Sequence, residues 1–500
     1  MPALACNFPR PEQSAPNPEW QELRQTLQAG SAVEAQNPAE TAIITPGAVT
    51  PANPGSLLPT PTLIAGLLDG VYTYTAQSGD TLATVAARFG VEPAQIVGVD
   101  QPPQTAYLTP GQVLQIPWVL DIVLPSEILL PDSEVVYSPT VADFDLEAYI
   151  LAVGGFLSVY TETLDGEVVS GVEVVRRIST QASLNPRLLL AFLEYRSGWV
   201  SGYPSNPAEK DHPIGFYVPN RRGLYQELQM TATQLNLGYY GWRLGNRLTL
   251  KFPDQKIYRL HPALNPGSVA LAHLFSKFYR REDWEVALYA PDGFLALYRS
   301  MFGDYWERDA ALGWLLPPDL TQPVLELPFS VGERWSFTAG PHPAWDTGTP
   351  RGALDFSPVT GEAVCAVSSR WATAAAPGAI ARSERNLVVL DLDGDGLEQT
   401  GWVLVYYHLA EKDLIPAGSR VELGDPLGHP SCEGGRATGK HVHIARRYNG
   451  EWLAADGPAP FVLGGWRAFA DSRNYQGRLV KGSEVVYSNP GGSQTSVIQR

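Results

Sequence analysis

Gly439-Lys440-His441-Val442-His443-Ile444 places two histidines two residues apart in a chain that has eight. In an extended strand such a pair projects from one face, so a metal ligand and a proton-transfer group can sit side by side. Upstream, Tyr406-Tyr407-His408-Leu409 ends an apolar run, Leu354-Asp355-Phe356 sets a carboxylate inside another, and His342 stands between two prolines. A catalytic zinc takes three protein ligands and keeps one open position. His342, Asp355 and His443 can supply two imidazoles and a carboxylate, with His408 and His441 as candidates to flank the open position. Zinc brings a bound water's pKa towards neutrality and polarises a carbonyl. Either flanking imidazole, with an ordinary pKa of about 6.5, can then exchange a proton under working conditions.

In this order the residues resemble those of the lysostaphin-type zinc endopeptidases. The commonest pattern of that family, His-x-x-x-Asp, puts Arg351 at the first ligand position, and a guanidinium cannot bind a metal. On that alignment the chain is an inactive wall-binding or scaffold protein with an endopeptidase fold. The β-lytic and staphylolysin branch has a longer spacing, Gly-Gly-x-His followed by Ser-Leu-Asp-Phe. Ala339-Gly340-Pro341-His342 and Ala353-Leu354-Asp355-Phe356 resemble it. The likeness runs from about residue 325 to 466 and takes in Asn386-Leu387-Val388-Val389-Leu390 and Cys432-Glu433-Gly434-Gly435. It implies a Zn2+ site on His342, Asp355 and His443, acid and base roles for His408 and His441, and a mostly antiparallel β domain with an open groove. The implied substrate is the peptide stems or cross-bridges of peptidoglycan. Cys365 and Cys432 both fall in this region and can pair in an oxidising compartment. His429 matches no ligand and reads as a loop residue, and His212, His261 and His273 as structural.

With 500 residues the chain has room for about three domains. A formal net charge of −16 argues against a nucleic-acid partner. No apolar run reaches the roughly 18 residues of a membrane span, and three cysteines are too few for a disulfide framework. Ala3-Leu4-Ala5-Cys6 resembles the end of a lipoprotein signal but lacks a basic region and an apolar core. Cys6 is therefore either a lipid anchor or a chance thiol, and the expected location is extracellular or on the cell envelope.

The expected organisation is a multidomain α+β chain. Residues 1–70, rich in Pro, Ala and Thr, read as a disordered tether. Residues 71–118 resemble a LysM βααβ module, which implies N-acetylglucosamine contacts, largely through backbone groups, in the groove between Gly79, Asp80, Thr81 and the region near Ile96, and a higher local concentration of enzyme on its polymer. A linker spans 119–143. A helical, faintly lysozyme-like domain covers 144–320. Its Arg196 stands where a transglycosylase has its acid, so it reads as non-catalytic, with Glu194 the remaining candidate acid. The endopeptidase occupies 325–475 and a tail 476–500. Asp391-Leu392-Asp393-Gly394-Asp395-Gly396 has half of a calcium-loop pattern but no Glu at its twelfth position, so it reads as a hairpin tip.

Overall fold

The computed structural model describes residues 67–98 and 106–500. The expected tether and Cys6 lie outside these residues, except for positions 67–70. Those four belong to the first module: Leu67–Leu68 (β1) forms a hairpin with Val71–Thr75 (β2). Tyr72 and Tyr74 alternate inward along β2 while Val71, Thr73 and Thr75 face out. With Val97–Gly98 (β3) and Val113–Pro117 (β4) they make a four-stranded sheet in the order β1-β2-β4-β3. Leu82–Phe89 (α1) covers it with Leu82, Val85, Ala86 and Phe89, and the Thr81 side chain caps the helix by accepting from the Thr84 N–H at 3.1 Å. The expected second helix is a single 3-10 turn, Pro93–Gln95.

Residues 119–143 do not form a linker. Leu124, Leu129, Leu130, Val135 and Val136 are buried in the helical domain's own core. Around that core lie Gly171–Ala182 (α2), Pro186–Ser197 (α3), Leu224–Arg243 (α4) and Pro266–Phe275 (α5). Helical spacing sets α4's inward stripe of Leu228, Ala232, Leu235, Tyr239 and Trp242. Asn185 caps α3 with Pro186 behind it, and Gly198 ends the helix in the left-handed region.

The third domain is an antiparallel sheet. Its strands are Arg334–Pro343 (β5), Arg351–Pro358 (β6), Gly378–Glu384 (β7), Leu387–Asp391 (β8), Trp402–Tyr407 (β9), Arg420–Val421 (β10), Val442–Tyr448 (β11), Glu451–Trp452 (β12) and Val497–Gln499 (β13). They lie in the order β10-β7-β8-β9-β11-β6-β5-β13, with β12 paired to β11. The expected tail is therefore part of this domain: β13 pairs with the edge strand β5, and Gly477–Lys481 and Glu484–Tyr487 join a smaller sheet. The Asp391–Gly396 segment is the turn between β8 and β9, its Asp391 carboxylate accepting from Asp393 and Gly396 N–H groups.

Alternation gives this sheet two faces of different use. Leu354, Phe356, Val388, Leu390, Leu404, Tyr406, Val442 and Ile444 fill the domain's own core. Ala353, Leu387, Val389, Val403, Val405 and Ala445 point the other way, into the core of the helical domain. Asp355 and His443 share that second face by the period of two. Polar contacts reinforce the docking: Arg243 Nε donates to Glu451 at 2.7 Å, Trp452 N–H to the Tyr240 hydroxyl at 3.0 Å, and Arg447 to the Ser183 hydroxyl at 3.1 Å.

Candidate metal centre

Register builds the site. On β6 and β11 Asp355 stands directly opposite His443, so their side chains leave the sheet together. On the other side of β6, Ala353 pairs with His342, and irregularities in the pairing of β5 with β6 on both sides of Asp355 swing the end of β5 towards the carboxylate. His342 Nε2 comes to 3.3 Å from Asp355 Oδ1, His443 Nδ1 to 3.2 Å from the same oxygen, and the two ring nitrogens to 3.0 Å from each other. Three ligand atoms on a tetrahedral zinc at about 2.0–2.1 Å would lie roughly 3.3 Å apart.

The remaining ring nitrogens fix the tautomers. His342 Nδ1 lies 2.9 Å from the Gly340 carbonyl and His443 Nε2 lies 3.1 Å from the Ala344 carbonyl. A carbonyl only accepts, so those nitrogens carry the protons, and the lone pairs of His342 Nε2 and His443 Nδ1 point at each other and at the carboxylate. Asp355 Oδ1 is buried and accepts no hydrogen bond. Two lone pairs and an orphaned carboxylate oxygen, all buried, fit a divalent cation and are costly without one. Burial opposes charge on Asp355, but the His342 and His441 imidazoles hold its carboxyl well below the usual range. Burial opposes charge on His342 too, and the Asp355 carboxylate outweighs it to give a net rise.

His441 and His408 stand on the cleft side of this triad, with ring centroids 4.5 Å apart. His441 Nδ1 lies 2.7 Å from the Gly439 carbonyl and His408 Nδ1 lies 3.0 Å from that of Glu433, so each turns an Nε2 lone pair to the site. His441 Nε2 is 3.6 Å from Asp355 Oδ2. Burial, then His441 and His443, push His408 down to about 4, which keeps it neutral at ordinary pH. His408 follows β9 with a φ of 64°, a left-handed conformation rare outside glycine and common at functional sites. A Cys365–Cys432 disulfide ties down the segment that presents the Glu433 carbonyl.

Arg351 takes no part: its Nη1 donates to the Asp471 carbonyl at 2.6 Å. Sequence reasoning missed Tyr475, whose ring stacks on His342 at 4.6 Å with planes 22° apart. No spacing signal marks it, since it comes from a loop with a φ of 69° that pairs Tyr475 O with Gly340 N–H at 2.9 Å. The helical domain was missed as well. Tyr225, Gln229 and Thr233 of α4 line the far side of the cleft of about 2620 Å³ that opens over the histidines.

Two other expectations meet the structure differently. Glu194 accepts from the Val200 and Ser201 N–H groups and the Ser201 hydroxyl, so its carboxylate closes its own loop, while Arg196 donates to Ile214 O and Tyr279 Oη. The residues expected to line the glycan groove have buried or engaged side chains. Asp80 is fully buried on Arg88, Tyr74 and the Gln77 N–H, and Ile96 lies in the module's core. Gly79 packs so closely on the helical domain that a Cβ there would meet Arg243 Nη1 at 2.5 Å, and Thr81 is the helix cap.

Residues 74–117 match the LysM domain family, and residues 128–317 match the N-terminal domain of LasA, which replaces the lysozyme-like expectation for the helical region. Protease LasA of Pseudomonas aeruginosa is 26% identical over 377 residues, covering 70% of this chain and 81% of that protein. The beta-lytic metalloendopeptidase of Achromobacter lyticus is 27% identical over 160 residues, 30% of this chain and 40% of its own. Among solved structures, the deep-sea M23 metalloprotease pseudoalterin is 23% identical with a TM-score of 0.28, covering 34% of this chain and 96% of its own.

Proposed function

As a chain with a LysM domain and a LasA N-terminal domain, homologous to Protease LasA and the lysostaphin-like M23 metallopeptidases, this protein is, we propose, a zinc endopeptidase that hydrolyses peptide bonds in the stems or cross-bridges of peptidoglycan. The observation that carries this is the buried triangle of His342 Nε2, Asp355 Oδ1 and His443 Nδ1, with edges of 3.0 to 3.3 Å and no proton donor for the carboxylate oxygen. Those three atoms would hold the zinc. Zinc at such a site supplies Lewis acidity, activating water for attack near neutral pH and polarising the scissile carbonyl.

The chain's own residues do the rest. The Gly340 and Ala344 carbonyls keep both ligand rings in the tautomers that offer lone pairs inward. His408 and His441, each held by a carbonyl at Nδ1, offer Nε2 to the cleft. One takes a proton from the attacking water at Nε2, and that same proton, held on one ring or the other, goes on to the leaving amine. A secreted or wall-associated location fits a LysM domain, and among the described residues no helix is long and apolar enough to cross a membrane.

The test is metal content and wall digestion with two variants. H342A should lower zinc occupancy and abolish release of peptide-cleaved muropeptides, read by mass spectrometry, while R351A should retain the metal. Full zinc in H342A and loss in R351A would overturn the assignment. A zinc-loaded wild type that releases nothing from peptidoglycan would favour the inactive scaffold.

A further inference from the structure

The seam between the LysM and helical domains is polar and tightly made. Gln77 Nε2 donates to Ala263 O at 2.8 Å, and the Ser78 hydroxyl bonds both the N–H and the carbonyl of Leu316, at 2.9 and 3.0 Å. Arg243 Nη1 donates to Ser78 O at 2.5 Å and Arg88 Nη2 to Trp242 O at 3.2 Å. The turn expected to meet glycan is thus held by the helical domain. Beside it the seam leaves a cavity of about 270 Å³ reached by Gly79, Thr81 and Tyr107. That is below the roughly 300–1,000 Å³ of sites that enclose a small ligand, and too small for a threaded polysaccharide.

At the other end of the same seam sits His261, 2% exposed, its ring 5.7 Å from Tyr72 and 5.5 Å from Trp118. Its Nδ1 accepts the Ala263 N–H at 3.2 Å, so the proton is on Nε2, which is buried with no partner. Ala263 is also the residue that Gln77 grips through its carbonyl. The groups facing the ring offer a charged imidazole nothing. Tyr72 and Trp118 present rings, and Arg259, two residues earlier in the chain, is cationic and spends its Nη2 on Arg88 O across the seam at 2.8 Å. The LysM carboxylate Asp80 is already engaged by Arg88, Tyr74 and the Gln77 N–H.

We propose that the LysM domain is latched to the helical domain through Gln77–Gly79, and that protonation of His261 releases the latch and frees the LysM turn. A second proton must go to Nδ1, where it faces the Ala263 N–H donor-to-donor and breaks the turn that Gln77 holds. Burial keeps the docked imidazole near 4 against an ordinary 6.5. Docking is therefore complete above about pH 6.5 and weakens as pH falls towards 4, because the undocked state binds the extra proton. The sugar consequence rests on the proposed glycan-binding role of LysM, but the latch itself does not.

Hydrogen exchange on the full chain, corrected for intrinsic rates, reads the latch at residues 76–81. Between about pH 7 and pH 4.5 the wild type should open on the order of 50-fold more often. H261F keeps a ring without a titrating nitrogen and should lose that response, and H261Q serves the same purpose if the phenylalanine does not fold. S78W, which crowds Leu316, should exchange fast at both pH values. A wild type with pH-independent exchange at 76–81, or an undiminished response in H261Q, overturns the latch. Binding of N-acetylglucosamine hexamer, followed in parallel, tests the glycan role alone: acid opening without sugar capture keeps the latch and removes that role.

Discussion

Zinc affinity and turnover separate at single residues. H408A and H441A leave the triad intact, so both should bind zinc normally and lose roughly 10²- to 10⁴-fold in turnover, measured as release of muropeptides. Tyr475 belongs with the ligands. Its ring covers His342 without touching the cleft-side histidines, so Y475A should weaken zinc retention by about 10- to 100-fold in a chelator competition, the usual effect of losing a group that orients a ligand. His342 was legible because a family spacing pointed past Arg351 to it. Tyr475 was not, because its contact depends on a loop conformation that no periodicity encodes.

At the scale of elements, the two-residue spacing of His441 and His443 announced their strand, and the LysM resemblance announced the first module. The misjudged segments were short or weakly apolar. Residues 119–143 bury their leucines and valines from irregular turns, and β13 is three residues with one buried side chain, Ile498. That strand closes the edge of the sheet beside β5, whose far end carries His342. I498A should cost about 2–5 kcal/mol in denaturant unfolding, with little direct effect on zinc affinity. A cost near zero would mean that the strand frays.

In the whole molecule the large antiparallel sheet and the helical domain share a core, and a buried charge cluster ties them. Glu398, in the turn between β8 and β9, pairs with Arg382 at 2.9 Å and Arg447 at 2.6 Å, and Arg447 reaches on to Ser183 beyond α2. Burial opposes its charge, but the two guanidinium groups pull its pKa to about 2 from an ordinary 4.5. A depressed carboxylate stabilises the fold above its unfolded pKa and loses that contribution as pH falls through the folded value, here between about 4.5 and 2. E398Q should cost roughly 3–5 kcal/mol at neutral pH, and thermal unfolding should show the gap to wild type closing across that window. Such coupling was invisible in the sequence, because Glu398 and Arg447 are ordinary surface types until two domains meet around them.

The Cys365–Cys432 bond has a consequence in time. Thiols stay reduced in the cytosol, so a newly made chain has the Glu433 carbonyl on an untethered loop and His408 without its fixed partner. On the proposed function, full activity would then arise only in an oxidising compartment. Gentle reduction of the mature protein should slow turnover while zinc remains bound.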